Sequence, residues 1–215
     1  MHFFTVPSTI QWLIPSCTWR KEGPGKVIYL TFDDGPHPEI TAWVMAELKK
    51  HQIKATFFCV GDNLKKFPEV AKNLLTEGHQ IGNHTMHHIK GWKHNNGVYL
   101  NDIENCETEI REIHGQLDIE KAQPRLFRPP YGQIKPSQIK LLRTKGYEII
   151  QWSDLSCDYD KHLNCEKSLS ALVKNAKPGS IVVFHDSKKA EHQLKQILPR
   201  YLEALLKEGF TFQTL

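Results

Sequence analysis

The sequence VIYLTFDDGP, residues 27–36, joins an apolar run to two adjacent aspartates and a Gly-Pro pair. Its first part, 27–30, shows no polar alternation, and such runs are typical of strands in parallel sheets that are covered on both faces. Similar runs follow at 56–60, 147–150 and 181–184. We therefore predict a parallel sheet whose strands form the buried centre of the fold.

Segments with helical periodicity separate the apolar runs. Apolar residues recur on one helix face at 40–48, 100–114 and 194–206, and Pro199 is expected to kink or restart the last helix. A short strand is predicted at 210–212. This alternation predicts an α/β fold with right-handed crossovers, either a barrel or an open doubly wound sheet. No G-x-G-x-x-G or Walker sequence follows a strand, which disfavours a nucleotide-binding sheet.

Length and composition limit the classes of protein to which the chain can belong. Its 215 residues suit one domain, which we expect at 26–215 behind an N-terminal lead-in segment at 1–25. A net charge of +4 disfavours a dedicated nucleic-acid binder and fits a neutral substrate. Hydrophobic residues make up 40% and the mean hydropathy is −0.47, which excludes a membrane span. The 12 histidines are the unusual feature, because imidazoles serve as metal ligands and proton carriers.

The N-terminal segment and the cysteines give no sign of export. The segment is apolar but lacks a basic region, and Pro7 and Pro15 interrupt it, so it is not a secretory signal. We expect Trp12, Leu13 and Trp19 to pack on the domain. The five cysteines show no C-x-x-C spacing and cannot all pair within one chain, so reduced thiols are predicted. These features favour a cytoplasmic protein.

Two predicted strands run into side chains that suit a metal site, since α/β proteins place active sites at the carboxyl ends of strands. Asp33 and Asp34 form either a simple turn or a pair in which one binds a cation and the other accepts a proton. His84 and His88 are four residues apart, so both imidazoles share one face if this turn is helical. Together with Asp34 they suit a catalytic zinc site that leaves a position for water. His87 is expected to be solvated.

Later strand ends also carry polar or titratable side chains. Arg128 enters a turn stiffened by two prolines, and its guanidinium can hold a carboxylate bidentately. The next strand leads to Asp154 and Asp158, and the run at 181–184 ends in His185, which suits a general acid. Each group could be structural by itself. Five strand ends that all deliver such groups predict one active site.

These motifs resemble those of the NodB-homology polysaccharide deacetylases, carbohydrate esterase family four. The family's T-F-D-D-G stands at 31–35, its H-[ST]-x-x-x-H at 84–88 and its R-P-P-Y-G at 128–132. Five motifs match in order and cover residues 27–186. The resemblance implies a zinc-dependent N-deacetylase on a distorted (β/α) barrel with parallel strands.

The resemblance implies a metal site and a base. Asp34, His84 and His88 would hold a divalent metal, with Zn²⁺ expected first and Co²⁺ or Ni²⁺ able to replace it. Asp33 would accept a proton from the attacking water, and Arg128 would orient Asp33.

The resemblance also implies contacts with the substrate. Pro130 and Tyr131 would face it, and the backbone N–H of Tyr131 would stabilise the oxyanion. His185 would protonate the leaving amine, with Asp158 tuning it.

The chain departs from the family pattern at two positions. Tyr159 stands where the fourth motif usually has tryptophan, which alters the aromatic wall of the site. Val183 stands where the fifth motif usually has leucine, which enlarges the pocket for the acetyl methyl group. Neither change touches a proposed ligand or titrating group, so activity is expected to survive.

The expected substrate is a glycan that contains N-acetylglucosamine: chitooligosaccharide, peptidoglycan or poly-N-acetylglucosamine. One alternative is an O-acetyl esterase that acts on xylan-like chains through the same site. The other is a catalytically silent carbohydrate-binding module, which the presence of Asp33 and His185 disfavours. Metal-independent relatives are disfavoured because all three ligand residues are present.

Further expectations concern the oligomeric state, the partners, the location and the role of Trp92. We expect a monomer with no nucleic-acid partner and no membrane span. Relatives of the family often act at the cell envelope, so association with the envelope is the alternative to a cytoplasmic location. Trp92 is expected either to stack on a sugar ring or to cover the barrel.

Overall fold

A parallel sheet of eight strands forms the centre of the computed structural model, which describes residues 3–119 and 124–215. The strands are β1 (Val27–Asp33), β2 (Thr56–Cys59), β3 (Gln80–Asn83), β4 (Arg125–Phe127), β5 (Tyr147–Ile149), β6 (Asp154–Leu155), β7 (Ser180–His185) and β8 (Thr211–Gln213). Their order in the sheet is β5-β4-β3-β2-β1-β7-β6, and β8 also pairs with β1. The predicted parallel α/β fold is therefore confirmed, and the sheet curls into a half-barrel.

Helices connect the strands and cover the sheet. They are α1 (Ser8–Leu13), α2 (Ile40–Lys50), α3 (Gly61–Lys66), α4 (Pro68–Thr76), α5 (Asn96–Gln116), α6 (Pro136–Thr144), α7 (Cys165–Asn175) and α8 (Glu191–Lys207). The three predicted helical segments lie within α2, α5 and α8. Asn95 caps α5 by accepting the Val98 N–H, and Asn164 caps α7 by accepting the Lys167 N–H.

Pro199 was expected to kink or restart the last helix, and the restart is wrong. Helix α8 runs without interruption through Pro199. A proline inside a helix removes one backbone hydrogen bond. Buried side chains on both sides of it, such as Leu198 and Leu202, anchor the same helix face in the core, and this packing keeps the helix in one piece.

Strand β1 lies in the middle of the sheet and brings the predicted base and acid together. All seven of its residues are buried, as expected for a strand covered on both faces. Its partners run parallel to it, with Asp33 opposite Phe58 of β2 and opposite His185 of β7. The last residues of β1 and β7 therefore lie side by side at the carboxyl edge of the sheet.

The N-terminal segment lies along the open side of the half-barrel. In the part of the chain that the structure describes, β5 and β6 do not pair with each other. Thr18 forms a parallel bridge with Ile150, just beyond β5, and Thr5 forms an antiparallel bridge with Asp154 of β6. The Thr5 hydroxyl also donates a 2.9 Å hydrogen bond to the Asp154 carboxylate. The segment thus partly fills the gap between the two edge strands.

The expected packing of the N-terminal segment is correct for one aromatic side chain and wrong for two apolar ones. Trp19 packs against the buried cluster around Cys17, and its indole N–H donates to the carbonyl of Ile14. Trp12 and Leu13 are 79% and 69% exposed. The segment is held by backbone bridges to the sheet, and α1 has no buried residue, so these two side chains have nothing to pack against.

Two general expectations about the chain can be compared with the structure. All five cysteines are free. Across residues 3–119 and 124–215, no helix has both the length and the apolar character that crossing a bilayer requires. The first two residues of the predicted lead-in segment lie outside the described residues.

Candidate active site

A cleft of about 510 Å³ lies at the carboxyl ends of the strands and contains most of the predicted site residues. Those that line it are Asp33, Asp34, His84, His88, Tyr131, Tyr159, Val183 and His185. Arg128 and Asp158 lie behind this surface and are fully buried, and Pro130 is buried next to Tyr131. The structure therefore brings together all the residues that the motifs singled out.

Unusual backbone conformations shape the loops around the cleft. Seven non-glycine residues in the described part of the chain have a positive φ, and five of them lie in these loops. The five are Asp34 (79°), Thr85 (65°), His88 (53°), Tyr131 (59°) and Cys157 (58°). Side chains disfavour this left-handed region, and such strained residues cluster at functional sites. The loops are thus held in conformations that the surrounding fold imposes.

Asp34, His84 and His88 form a cluster that fits a divalent metal. Their ligand atoms all lie within 4.8 Å of one another. His88 Nε2 is 3.2 Å and His84 Nε2 is 3.8 Å from Asp34 Oδ1. Two imidazoles and one carboxylate are the donor set of many catalytic zinc sites.

The two histidines converge without the helical turn that was predicted. Strand β3 ends at Asn83, and no helix is formed at 84–88. The positive φ values of Thr85 and His88 fold the loop back, so that both imidazoles reach Asp34. The spacing of four residues predicted the right pair for the wrong geometric reason.

The hydrogen bonding of His84 prepares its ring for a metal. His84 Nδ1 lies 2.8 Å from the carbonyl oxygen of Arg128. A carbonyl can only accept, so Nδ1 carries the proton and the lone pair is on Nε2, which faces Asp34. Burial lowers the pKa of His84 to about 4, so this ring is neutral at neutral pH. A neutral ring with its free nitrogen in the cluster is the form that binds a metal.

Asp34 is held as a carboxylate in the same cluster. Burial alone would raise its pKa, but the hydrogen bond from His88 and the charges of His185 and His84 hold the pKa well below the usual range. An ionised carboxylate is the state in which aspartate binds a cation. The donor chemistry of all three groups therefore fits a metal.

Arg128 fixes the position of Asp33 within a buried network. Arg128 Nη1 donates 2.7 Å hydrogen bonds to Asp33 Oδ1 and to the Thr31 hydroxyl, and Nη2 donates to the Gln151 carbonyl at 3.2 Å. The contact with Asp33 is therefore a single hydrogen bond, and the bidentate contact that was predicted is wrong. Two further hydrogen bonds, from Nη1 to Thr31 and from Nη2 to Gln151, hold the guanidinium plane, while the buried Nε–H has no partner among the described residues. The Asp33 carboxylate thus keeps its other oxygen for the cleft.

His185 and Asp158 form a second buried pair, at the end of the neighbouring strand β7. Asp158 Oδ1 accepts from His185 Nδ1 at 2.7 Å, and Asp158 Oδ2 accepts from the His185 backbone N–H at 2.9 Å. Burial alone would lower the pKa of His185, but the charge and hydrogen bond of Asp158 raise it to about 9. The ring therefore carries a proton at neutral pH.

Aromatic side chains form the walls of the cleft beside these histidines. The Tyr131 ring lies 4.8 Å from the His88 ring, and the Tyr159 ring lies edge-on to His185 at 5.1 Å, measured between ring centroids. Tyr131 also has a backbone N–H with no acceptor among the described residues. Val183 lies between β1 and β6 and lines the floor of the same cleft.

The structure adds residues that the sequence analysis did not assign to the site. Trp152, Leu155 and Lys189 also line the cleft. Trp152 comes shortly after the end of β5, so the strand-end rule that found the others could have found it. Asp186 directly follows His185 and accepts the backbone N–H of Gly35 at 3.1 Å, which ties it to the turn that carries Asp34.

Several other predicted candidates lie outside the cleft. His87 pairs with Asp62 at 2.9 Å and is half-exposed, which agrees with its expected solvation. Asp154 bonds to Thr5 in the N-terminal segment. Trp92 is 60% exposed, so it does not cover the barrel, and its indole N–H donates to the Ile134 carbonyl.

Fold and site together define a class of enzyme. A parallel α/β half-barrel presents a triad that fits a metal, a buried carboxylate and a protonated histidine in one cleft, which are the parts of a metal-assisted hydrolase. The family profile described as polysaccharide deacetylase matches residues 20–150. The chain belongs to the polysaccharide deacetylase family, which confirms the resemblance found in the motifs.

Known relatives extend over nearly the whole chain. It is 36% identical over 200 residues to a peptidoglycan-N-acetylglucosamine deacetylase of Bacillus cereus, covering 92% of this chain and 90% of that protein. It is 33% identical over 163 residues to a chitooligosaccharide deacetylase of Azorhizobium caulinodans, covering 74% and 73%. A crystal structure of a peptidoglycan N-acetylglucosamine deacetylase superposes with a TM-score of 0.80 at 31% identity, covering 95% of this chain and 94% of that one.

Proposed function

We propose that the protein is a hydrolase that removes N-acetyl groups from N-acetylglucosamine residues of a polysaccharide or oligosaccharide and that it requires a divalent metal. The observation that carries this proposal is the placement of the Asp34, His84 and His88 triad next to Asp33 and His185. The names of the relatives support the same substrate class, because both peptidoglycan and chitooligosaccharides contain this acetamide.

Asp34, His84 and His88 would hold the metal, for which we propose Zn²⁺ with Co²⁺ or Ni²⁺ as substitutes. A bound metal of this kind supplies a Lewis acid for the acetamide carbonyl and lowers the pKa of a coordinated water. The three residues leave the cleft side of the cluster open, since Asp34 and His88 are partly exposed there.

Asp33 is the proposed general base. Its carboxylate lies at the end of β1, next to Asp34 in sequence but with a different partner, the Arg128 guanidinium. Arg128 orients one oxygen and leaves the other for a proton from the attacking water. A positioned base of this kind contributes about 10²- to 10⁴-fold to the rate.

His185 is the proposed general acid. Breaking the C–N bond requires a proton on the amine nitrogen of the sugar, and the Nε2–H of His185 is the group that can give it, because Nδ1 is held by Asp158. The proposed base and acid lie on adjacent strands with paired backbones, so both can reach one acetamide bound in the cleft.

The remaining contacts position the acetamide. The Tyr131 N–H, which has no acceptor among the described residues, is the proposed donor to the oxyanion. Pro130 fixes this turn, and Tyr159 and Val183 form the walls that would meet the sugar and the acetyl methyl group.

The test is an acetate-release assay on the zinc-loaded protein. We expect acetate from N-acetylglucosamine oligomers, and an acetylated xylan oligomer run in parallel distinguishes O-deacetylation through the same site. Asp33→Asn should lose turnover and keep one metal per chain. Release from the xylan alone would replace the proposal by an esterase, and release from neither substrate would favour a silent binding module. Full activity of Asp33→Asn would show that the base is wrong.

A further inference from the structure

A lysine lies over the aromatic wall on one side of the cleft. The Lys90 ammonium is 4.2 Å from the centroid of the Tyr131 ring, which in turn contacts His88. Lys90 is half-buried, so part of its aliphatic stem is held against the protein while its ammonium lies over the Tyr131 ring. A cation over a tyrosine ring is attracted by the ring quadrupole.

The opposite wall repeats this arrangement. The Lys189 ammonium is 5.3 Å from the centroid of the Tyr159 ring, and Tyr159 contacts His185. Lys189 is exposed and lines the cleft. Each side of the cleft therefore carries a lysine, a tyrosine and a histidine in contact, and each stack ends at a residue of the proposed chemistry.

Neither lysine is neutralised by a carboxylate. Across residues 3–119 and 124–215, no ion pair involves Lys90 or Lys189, whereas the neighbouring Lys188 pairs with Glu191 at 2.8 Å. The acidic groups nearby have other partners. Asp33 is bonded to Arg128, and Asp160 accepts the backbone N–H of His162. Lys90, over the Tyr131 ring, and Lys189, in the lining of the cleft, thus have no carboxylate partner among the described residues.

The two lysine–tyrosine contacts also affect how a sugar could bind in the cleft. Neutral sugars pack their rings on exposed aromatic faces, but here an ammonium lies over one face of each tyrosine that lines the cleft. An ammonium is a compact, strongly hydrated charge that recognises anionic oxygens. The modest overall charge of the chain fitted a neutral glycan, whereas the two lysines beside the tyrosines favour an acidic one.

We propose that Lys90 and Lys189 bind a carboxylate on a sugar next to the one that is deacetylated, so that the preferred substrate is an acidic N-acetylated glycan. This inference rests on the proposed deacetylase function and narrows its substrate class. The lysines are specificity-determining residues, and the acetamide itself is left to the residues deeper in the cleft.

The size of the preference follows from the exposure of the two groups. A solvent-exposed ion pair is worth about 0.2–1 kcal/mol, which corresponds to roughly 1.4- to 5-fold in binding. Two such contacts predict a preference of up to about 25-fold for the acidic glycan at low salt. Raising the ionic strength from about 0.01 M to about 0.1 M shortens the Debye length from about 30 Å to about 10 Å, so the preference should shrink.

The experiment compares two substrates that differ only in charge. The pair is an oligomer of alternating N-acetylglucosamine and N-acetylmuramic acid, with its lactyl carboxylates either free or converted to methyl amides. A chitooligosaccharide of equal length is the neutral reference. The readout is the ratio of kcat/KM for the free acid to kcat/KM for the amide, measured with the zinc-loaded enzyme at low and high salt.

We expect the wild-type ratio to exceed one at low salt and to fall with added salt. Lys90→Gln and Lys189→Gln should each lower the ratio by about 2- to 5-fold, and the double variant should bring it close to one. The matched control is Lys207→Gln, which removes the same charge from the exposed last turn of α8, at the other end of the strands.

The possible results separate the two proposals. If all three oligomers are deacetylated and the ratio is one in the wild type, or is unchanged in the double variant, the acidic-glycan proposal is wrong and the deacetylase function stands. If none of the three oligomers is deacetylated, the proposed function itself fails. A fall in the ratio for Lys207→Gln equal to that of the cleft variants would also overturn the inference.

Discussion

Arg128 and Asp33 form a buried ion pair in which the guanidinium donates through a single nitrogen, Nη1, at 2.7 Å. Their side chains are 0% and 5% exposed. The geometry of this pair sets where the second oxygen of the Asp33 carboxylate lies, and that oxygen is the one available for a proton. The pair therefore orients the carboxylate that we propose as the general base.

Replacing Arg128 tests this aiming role. In Arg128→Lys the charge stays, but one ammonium cannot reproduce the planar set of bonds to Asp33, Thr31 and Gln151. We expect kcat to fall by about 10- to 100-fold, since a displacement of about 1 Å has an effect of that order. Steady-state kinetics with a metal assay provides the measurement. Arg125→Lys on the same strand is the control, and equal kinetics in both variants would contradict the role.

The pair of His185 and Asp158 predicts a pH dependence. A general acid works only while protonated, so activity should be present below the His185 pKa of about 9 and should be lost as the pH rises through it. In Asp158→Asn the raising interaction is gone and burial remains, so the alkaline limb of kcat should move to lower pH. A pH–rate profile of both proteins gives the answer. An alkaline limb that does not move would exclude His185 as its source.

The same pKa predicts how the pair affects stability. The folded-state pKa of about 9 lies above the ordinary value of 6.5, so the folded protein binds this proton more tightly. The stabilising contribution is fully present below about pH 6.5 and is lost as the pH rises through about 9. Urea unfolding at pH 6.5 and pH 9.5 should show a larger loss of unfolding free energy for the wild type than for Asp158→Asn.

The metal cluster is tested by removing one ligand. His88→Ala should lose bound zinc, because a tetrahedral site with only two protein ligands is left. Removing a group that merely supports a ligand lowers metal affinity by about 10- to 100-fold, and removing the ligand itself should exceed that. The adjacent His87→Ala is the matched control, since His87 faces Asp62. Retention of one zinc per chain in His88→Ala, measured by atomic emission, would rule out the ligand set.

The size of the side chain at Val183 should determine which N-acyl groups the cleft accepts. Val183→Leu adds one methylene at a position that is 1% exposed and lines the cleft. The ratio of kcat/KM for N-propionyl over N-acetyl substrates should fall, by roughly 10-fold for each 1.4 kcal/mol of added steric repulsion. The variant's thermal midpoint shows whether overpacking has disturbed the core. An unchanged acyl ratio in a stable variant would place the methyl pocket elsewhere.

Gly35 lies in a close contact that leaves no room for a side chain. A Cβ at this position would overlap the Asp186 carboxylate, which accepts the Gly35 N–H and the Thr41 hydroxyl. Gly35→Ala must push Asp186 or the Asp34 turn aside, and such overpacking lowers stability by about 1–3 kcal/mol. We expect weaker zinc binding along with the loss of stability. Equilibrium unfolding and zinc titration of the variant would show wild-type values if the contact has no such effect.

Much of the fold could be predicted from the sequence because the central strands are buried on both faces. An uninterrupted apolar run such as residues 27–30 is typical of a strand that is covered on both faces, so the run itself indicated where a central strand lies. The exposure of Trp12 was not readable, because local apolar character does not say whether a surface is available to receive it. The helix does not restart at Pro199, because tertiary packing along α8 outweighs the loss of one backbone hydrogen bond.

The site residues that could be predicted from the sequence are the polar and titratable side chains at the ends of strands. Asp34, His84 and His88 were found from residue type and position, although the turn that joins the histidines is strained and not helical. Lys189 was not found, since a single lysine in a loop has no pattern in the sequence. Its significance arises only from the ring of Tyr159 beneath it.

The pairing of β1 with β7 has a consequence for how the chain is made. Gly35 and Asp186, whose contact secures the metal-binding turn, are 151 positions apart. At a synthesis rate of about 5–20 residues per second, β1 waits roughly ten to thirty seconds on the ribosome before β7 exists. Throughout that time the edge of β1 that pairs with β7 stays uncovered and open to pairing with another chain. No nascent chain that ends before β7 can hold Asp33 and His185 in one cleft, so the enzyme becomes competent only near the end of its own synthesis.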